Sequence, residues 1–182
     1  MKKDTIVQFV CFETNATNEA FIIQWEQYTS MAGKNHEVRL QRASGSKNTS
    51  HYVSQHWCDV NDSQFIFKKG KRSAHSTEVE MRIKEAGGYI PLQLDYTGET
   101  HAKESKLFVF LSPADSNFDV YKSLTSFKYL NIYEAYYESC TFSYILEFFV
   151  ANSDAEQLMD QIKVYNRASE TGIYKECLVM AK

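Results

Sequence analysis

The chain has 182 residues, 43% of them hydrophobic and 14% aromatic, with seven glycines and two prolines, which excludes disordered, collagen-like and low-complexity classes. Its net charge of -3 divides into 13 basic and 13 acidic residues up to position 104, and 7 and 10 beyond it. Neither part has the basic excess of a nucleic-acid or membrane-surface binder, and no apolar run approaches the roughly 20 residues of a membrane-spanning helix.

From the N-terminus, Lys2 and Lys3 lead straight into a strand, Thr5 to Phe12, without the apolar core or cleavage site of a signal peptide. That strand is apolar apart from Gln8, as expected of a sheet covered on both sides. Thr17 caps a helix whose stripe of Phe21, Trp25, Tyr28 and Ala32 ends before Gly33. Two strands follow, Glu37 to Ala43 and His51 to Cys58, around a loop at Ser44 to Ser50. A helical turn from Asp62 breaks near Gly70. A second helical piece starts with Thr77 and Glu80 in capping-box spacing, turns Val79, Ile83 and Ala86 to the sheet, and stops at Gly87 and Gly88. The basic run Lys68, Lys69, Lys71 and Arg72 reads as a solvated helix end, with a phosphate or carboxylate grip as the alternative. The strand Tyr89 to Tyr96 then alternates, with Ile90, Leu92 and Leu94 on one face and Tyr89, Gln93 and Asp95 on the other.

After a polar join the pattern restarts. Lys106 to Ser112 is a strand and Ser116 to Leu124 a shorter helix. Lys128 to Tyr137 and Thr141 to Val150 form an aromatic-rich hairpin, Ser153 with Glu156 opens a helix, and Gly172 to Met180 is the last strand. The expected organisation is a first repeat at 1–96, a linker at 97–105 and a second repeat at 106–182. Each repeat is βαββαβ, so the fold class is α+β: two tandem ferredoxin-like repeats packed sheet to sheet as an intrachain α+β barrel. The expected assembly is a monomer carrying an internal pseudo-dimer, or a homodimer.

The cysteines, Cys11, Cys58, Cys140 and Cys177, have no zinc or redox spacing, so reduced thiols in a cytoplasm are expected and no metal site is assigned. No nucleophile elbow, Walker loop, dinucleotide glycine motif, HExxH pair or EF-hand loop occurs.

The histidines and tryptophans all lie ahead of the second repeat, so acid–base chemistry is expected in or facing the first half. His56 shares a strand face with Tyr52 and Ser54 and is the candidate catalytic base; the alternative is a half-buried histidine bonded to backbone. Candidate substrate-binding residues are Arg39, Gln41, Tyr52, Trp57, Tyr89, Gln93 and Tyr133. Arg39 would supply an anion-binding guanidinium and Trp57 a stacking face, although a tryptophan at a strand end also fills cores. Tyr129, Asn131, Tyr133 and Tyr137 align on one face, suited to a pocket or to the seam between repeats. Glu147 stands alone among Leu146 and Phe148; pointing inward, desolvation would raise its pKa, and an outward or seam position is the alternative.

The order of elements across the whole chain resembles the dimeric α+β barrel superfamily in a tandem form. The strand ending His56, Trp57, followed by Asp59 to Ser63 and by Phe65 and Phe67, is similar to a segment of antibiotic-biosynthesis-type monooxygenases. The superfamily includes cofactor-independent quinone-forming monooxygenases, haem-degrading enzymes, haem peroxidases and isomerases. No cofactor is expected, with haem as the alternative. Haem is disfavoured, because Gln8 stands where haem-degrading members carry Asn, and His75 lies too far past Trp57. Three functions remain open: a monooxygenase-like enzyme for a small aromatic or quinol-like substrate, a small-ligand-binding or stress-response module without turnover, and an interaction protein with a filled barrel. Neither nucleic acid nor membrane is an expected partner.

Overall fold

Every side chain from Ile6 to Phe12 is buried, so the first strand, β1 (Thr5–Thr14), lies between two layers. On one side Val7, Phe9 and Cys11 join an inner core. On the other, Val10 and Phe12 pack against Phe21, Trp25 and Tyr28 of helix α1 (Asn18–Ser30). The helix begins where its sequence predicts: the Ala20 N–H donates to Thr17 Oγ1 at 3.3 Å, and the Phe21 N–H to the Thr17 carbonyl at 3.0 Å.

The structure, a computed structural model, describes residues 5–30, 37–43, 51–61, 81–94, 104–112, 119–124, 127, 130–151, 153–163 and 170–180. After α1 come β2 (Glu37–Ala43), β3 (Tyr52–Asp59), β4 (Met81–Leu94), β5 (Glu104–Leu111), α2 (Val120–Leu124), β6 (Leu130–Ala135), β7 (Tyr144–Ala151), α3 (Ala155–Lys163) and β8 (Glu170–Met180). The helix expected from Ser116 is described only over α2, capped by Asp119, whose Oδ1 accepts the Lys122 N–H at 3.1 Å. The loop at 44–50, the basic run, the helical segment at 62–80 and His36, His75, His101 and Tyr129 lie outside the described residues.

The strands form a closed antiparallel barrel in the order β1-β3-β2-β8-β5-β7-β6-β4, with β4 pairing back onto β1. The first four strands run β4-β1-β3-β2 and the last four β8-β5-β7-β6, the same order with each number raised by four. The two sheets do not only face one another. They hydrogen-bond at both edges, β2 to β8 from Val38↔Met180 and β4 to β6 from Tyr89↔Ala135, which removes every unpaired sheet edge. The inner residues of both sheets then share one core, including Phe9, Tyr89, Phe108, Tyr133 and Ile145. Outside, α1 covers the first sheet. Val120 and Leu124 of α2 and Ile162 of α3 pack with Leu107, Val109, Leu146 and Phe148 on the second. Among the described residues no helix is long and apolar enough to cross a membrane.

One expected element is overturned. The stretch read as a helix through Ile83 and Ala86, stopped by Gly87 and Gly88, is part of the single strand β4. The glycines answer to packing. A Cβ on Gly87 would lie 2.8 Å from Tyr89 Cε2 and 3.0 Å from Cys140 Sγ, and one on Gly88 would lie 2.7 Å from Tyr137 Cε2. They let aromatic rings lie against the strand backbone instead of ending a helix.

Candidate functional site

Strand alternation decides what can meet inside the barrel. Phe9 meets Tyr89, Phe108 and Tyr133 edge-on, with ring centroids 5.6, 6.0 and 4.9 Å away, and all four rings of this aromatic centre are buried. On its Tyr133 side lies a cavity of about 200 Å³. Strand β2 contributes Glu37 and Arg39, β3 Trp57, β4 Leu94, β6 Asn131 and Tyr133, and β7 Glu147. The space suits one ring, since a cavity of roughly 150 Å³ holds benzene.

The floor is a buried polar network. Tyr133 Oη donates to Glu147 Oε2 at 2.7 Å and Asn131 Nδ2 to the same oxygen at 3.1 Å. Lys106 Nζ lies 3.3 Å from Glu147 Oε1, and both of these side chains are 2% exposed. The lysine comes from β5, whose Phe108 pairs with Glu147; Lys106 is therefore the carboxylate's diagonal neighbour, and its ammonium also sits 5.4 Å from the Phe149 ring centroid.

Burial alone would raise the Glu147 pKa, but the Lys106 ammonium and the hydrogen bonds from Tyr133 and Asn131 outweigh it and hold the carboxyl below its ordinary value. Glu147 points inward and is ionised, so the expected upward shift is corrected: its partners offset desolvation. Tyr133 moves the other way. Burial, then the adjacent Glu147 charge and hydrogen bond, push its hydroxyl far above the usual tyrosine range, so it keeps its proton. The floor is an acceptor surface rather than a strong base.

At the mouth, Arg39 Nε and Nη2 both lie 2.6 Å from Glu37 Oε1, so the guanidinium arrives already neutralised. Trp57 stands edge-on to Tyr133 at 6.1 Å. Its indole Nε1 is buried and has no hydrogen-bond partner among the described residues.

Of the residues singled out by sequence, the cavity brings together Arg39, Trp57 and Tyr133. Gln41 is inward but bound to Gln55 at 2.7 Å, and Tyr89 belongs to the packed aromatic centre. Tyr52 lies on the outer face, stacked on Phe21 at 3.8 Å with its hydroxyl donating to Asn18 at 2.7 Å. His56 is on that outer face too: Trp25 Nε1 donates to Ser54 Oγ at 3.1 Å, Ser54 Oγ is 2.7 Å from His56 Nε2, and Tyr28 meets the imidazole edge-on. The catalytic assignment is therefore corrected, because His56 is 0% exposed beneath α1 with the sheet between it and the cavity. Gln93 fails through a register shift between Pro91 and Gln93, which pairs it with outer-layer Ile132 and gives the inward position to Leu94.

The sequence reading singled out Glu147 but missed its partner Lys106. Their signal was available in outline: two opposite charges, each in an otherwise apolar strand, on strands expected to be neighbours.

No family model matches the sequence, and no curated protein does. Solved structures do match in fold. A mutant chlorite dismutase from Candidatus Nitrospira defluvii aligns over 96% of this chain and 91% of its own at 9% identity and a TM-score of 0.62; another mutant, solved with cyanide, gives 97%, 92%, 9% and 0.60. A protein of Fusobacterium nucleatum described as a candidate monooxygenase aligns over 100% and 96% at 12% identity and a TM-score of 0.57. The chain shares the fold of these structures, built here as a closed antiparallel barrel with helices outside it.

These neighbours overturn the expectation of no cofactor, since chlorite dismutases bind haem. The described cavity does not itself fit haem. At about 200 Å³ it is smaller than typical ligand pockets, which start at roughly 300 Å³. No His, Cys or Met lines it, and its one tyrosine holds its proton against Glu147. A haem site in this chain would need other residues.

Proposed function

We propose that the protein binds a small, single-ring hydroxylated aromatic or quinol-like molecule in the Arg39–Trp57–Tyr133 cavity and acts on it as a monooxygenase-type enzyme. The observation that carries the reading is a ring-sized cavity walled by Trp57, Leu94 and Tyr133. Leu94, Trp57 and Tyr133 offer apolar faces for the ring, and Asn131 and Glu147 fix its polar end. The Fusobacterium neighbour, described as a candidate monooxygenase, lends the reaction class its support.

The strand order supports reading the chain as two ferredoxin-like repeats, 1–96 and 106–182, joined at 97–105, so that one chain is an internal pseudo-dimer. Cys11, Cys58 and Cys140 form no disulfide, which suits a reducing compartment such as the cytoplasm.

Calorimetric titration with phenols, hydroquinones and aromatic acids, paired with oxygen-uptake measurements on the same mixtures, tests both parts. The expected result is binding by single-ring phenols that weakens about tenfold in Trp57→Phe, with oxygen consumed in the presence of a binder. Absence of binding by every compound would overturn the reading in favour of a filled barrel. Binding without oxygen uptake would overturn its enzymatic half.

A further inference from the structure

At the floor of the cavity Asn131, Tyr133, Glu147 and Lys106 are buried and bonded to one another, so the interior offers a ligand the faces of Trp57, Leu94 and Tyr133. The charges that water and a ligand can reach lie at the mouth. Glu37 and Arg39 are two residues apart on one face of β2, with side chains 40% and 25% exposed. Arg39 Nε and Nη2 both converge on a single oxygen, Glu37 Oε1, at 2.6 Å. The other oxygen, Oε2, has no partner among the described residues. An ion pair this exposed adds little to stability, because water competes for both charges, so admitting a second pair of charges disturbs little.

We infer that the mouth selects a zwitterion: the ligand is an aromatic α-amino acid, with its ring in the cavity, its ammonium on Glu37 and its carboxylate on Arg39. The inference rests on the cavity reading above and names the substituent that the ring carries. A ligand with a carboxylate alone meets Arg39 but is repelled by Glu37 beside it, and one with an ammonium alone meets Glu37 but is repelled by Arg39, so a single charge gains little. A zwitterion sets an opposite charge against each member of the pair and brings no net charge. Size places the charged group as well. The cavity holds about 200 Å³, and since roughly 150 Å³ suffices for benzene, the ring fills it and the amino-acid group stays at the mouth.

The test is calorimetric titration of the full chain at neutral pH with tyrosine, tyramine, 4-hydroxyphenylpropionate and 4-methylphenol, which share the phenol ring and carry both charges, the ammonium, the carboxylate and neither. The expected result is tyrosine binding about tenfold tighter than each of the others. Glu37→Gln and Arg39→Gln should each weaken tyrosine about tenfold and move the singly charged compounds in opposite directions. Glu37→Gln strengthens the carboxylate, and Arg39→Gln strengthens the amine. Binding of 4-methylphenol as tight as that of tyrosine, a singly charged compound that matches or exceeds tyrosine, or a tyrosine affinity unchanged in both variants would overturn the inference while leaving the cavity reading intact. Binding of none of the four would overturn both. The wild-type series decides the matter even if neither variant folds.

Discussion

Lys106 and Glu147 meet at 3.3 Å inside the barrel, each 2% exposed, on the adjacent strands β5 and β7. A buried ion pair gains little over an apolar replacement but is costly to break, because the surviving charge stays uncompensated. Lys106→Met alone is expected to cost about 3–5 kcal/mol in urea unfolding, and Lys106→Met with Glu147→Leu to cost much less. Equal losses in the single and double variants would contradict the pairing.

The pH dependence has a definite sign. The folded pKa of Glu147 lies below its ordinary 4.5, so its contribution to stability is present above that value and is lost as pH falls through the lower folded value. The stability gap between wild type and Glu147→Gln should therefore narrow in acid. A gap that widens in acid would mean that Glu147 is protonated in the native state.

Tyr28 gives the opposite limb. Burial raises its hydroxyl from 10.0 to about 12, so the stability that goes with the protonated ring is complete below 10.0 and declines as pH rises toward the folded value. Tyr28→Phe should flatten the alkaline fall in unfolding free energy, and an unchanged slope would contradict the assignment.

His56 supports the helix, not the cavity. His56→Ala removes a partner of Ser54 beneath Trp25 and is expected to cost about 1–3 kcal/mol in stability. Ligand affinity measured on the folded variant should stay within about twofold of wild type. A large loss of binding at unchanged stability would return His56 to the site.

How much of this was legible in the sequence depends on which physical signal each residue carried. The doubly buried β1 and the Thr17-capped α1 followed from composition and capping alone, since an apolar run and a capped amphipathic stripe have few other uses. Strand β4 did not, because Ile83 and Ala86 before a Gly pair fit a helix end as well as a strand that glycine opens to Tyr89 and Tyr137. The polar set Tyr52, Ser54 and His56 looked like a pocket wall, yet its partners came from α1, through the Trp25 N–H and Asn18. Alternation itself held the correction: His56 and Trp57 are neighbours on one strand and cannot both face the same cavity. The shift at Pro91 and Gln93 has no such signature, and it alone moved Gln93 out and Leu94 in.

The central claim is that a ring-shaped ligand sits against Trp57 in the cavity, and the chain holds only two tryptophans with which to test it. Trp25 lies on the sheet-facing side of α1 with its N–H bonded to Ser54, on the far side of the sheet from Trp57. A ¹H–¹⁵N spectrum therefore contains two indole signals, assignable with Trp57→Phe. The account predicts that titration with a binding phenol moves the Trp57 signal and leaves that of Trp25 in place. A ligand that binds by calorimetry yet leaves the Trp57 signal unmoved, or shifts Trp25 instead, would contradict it.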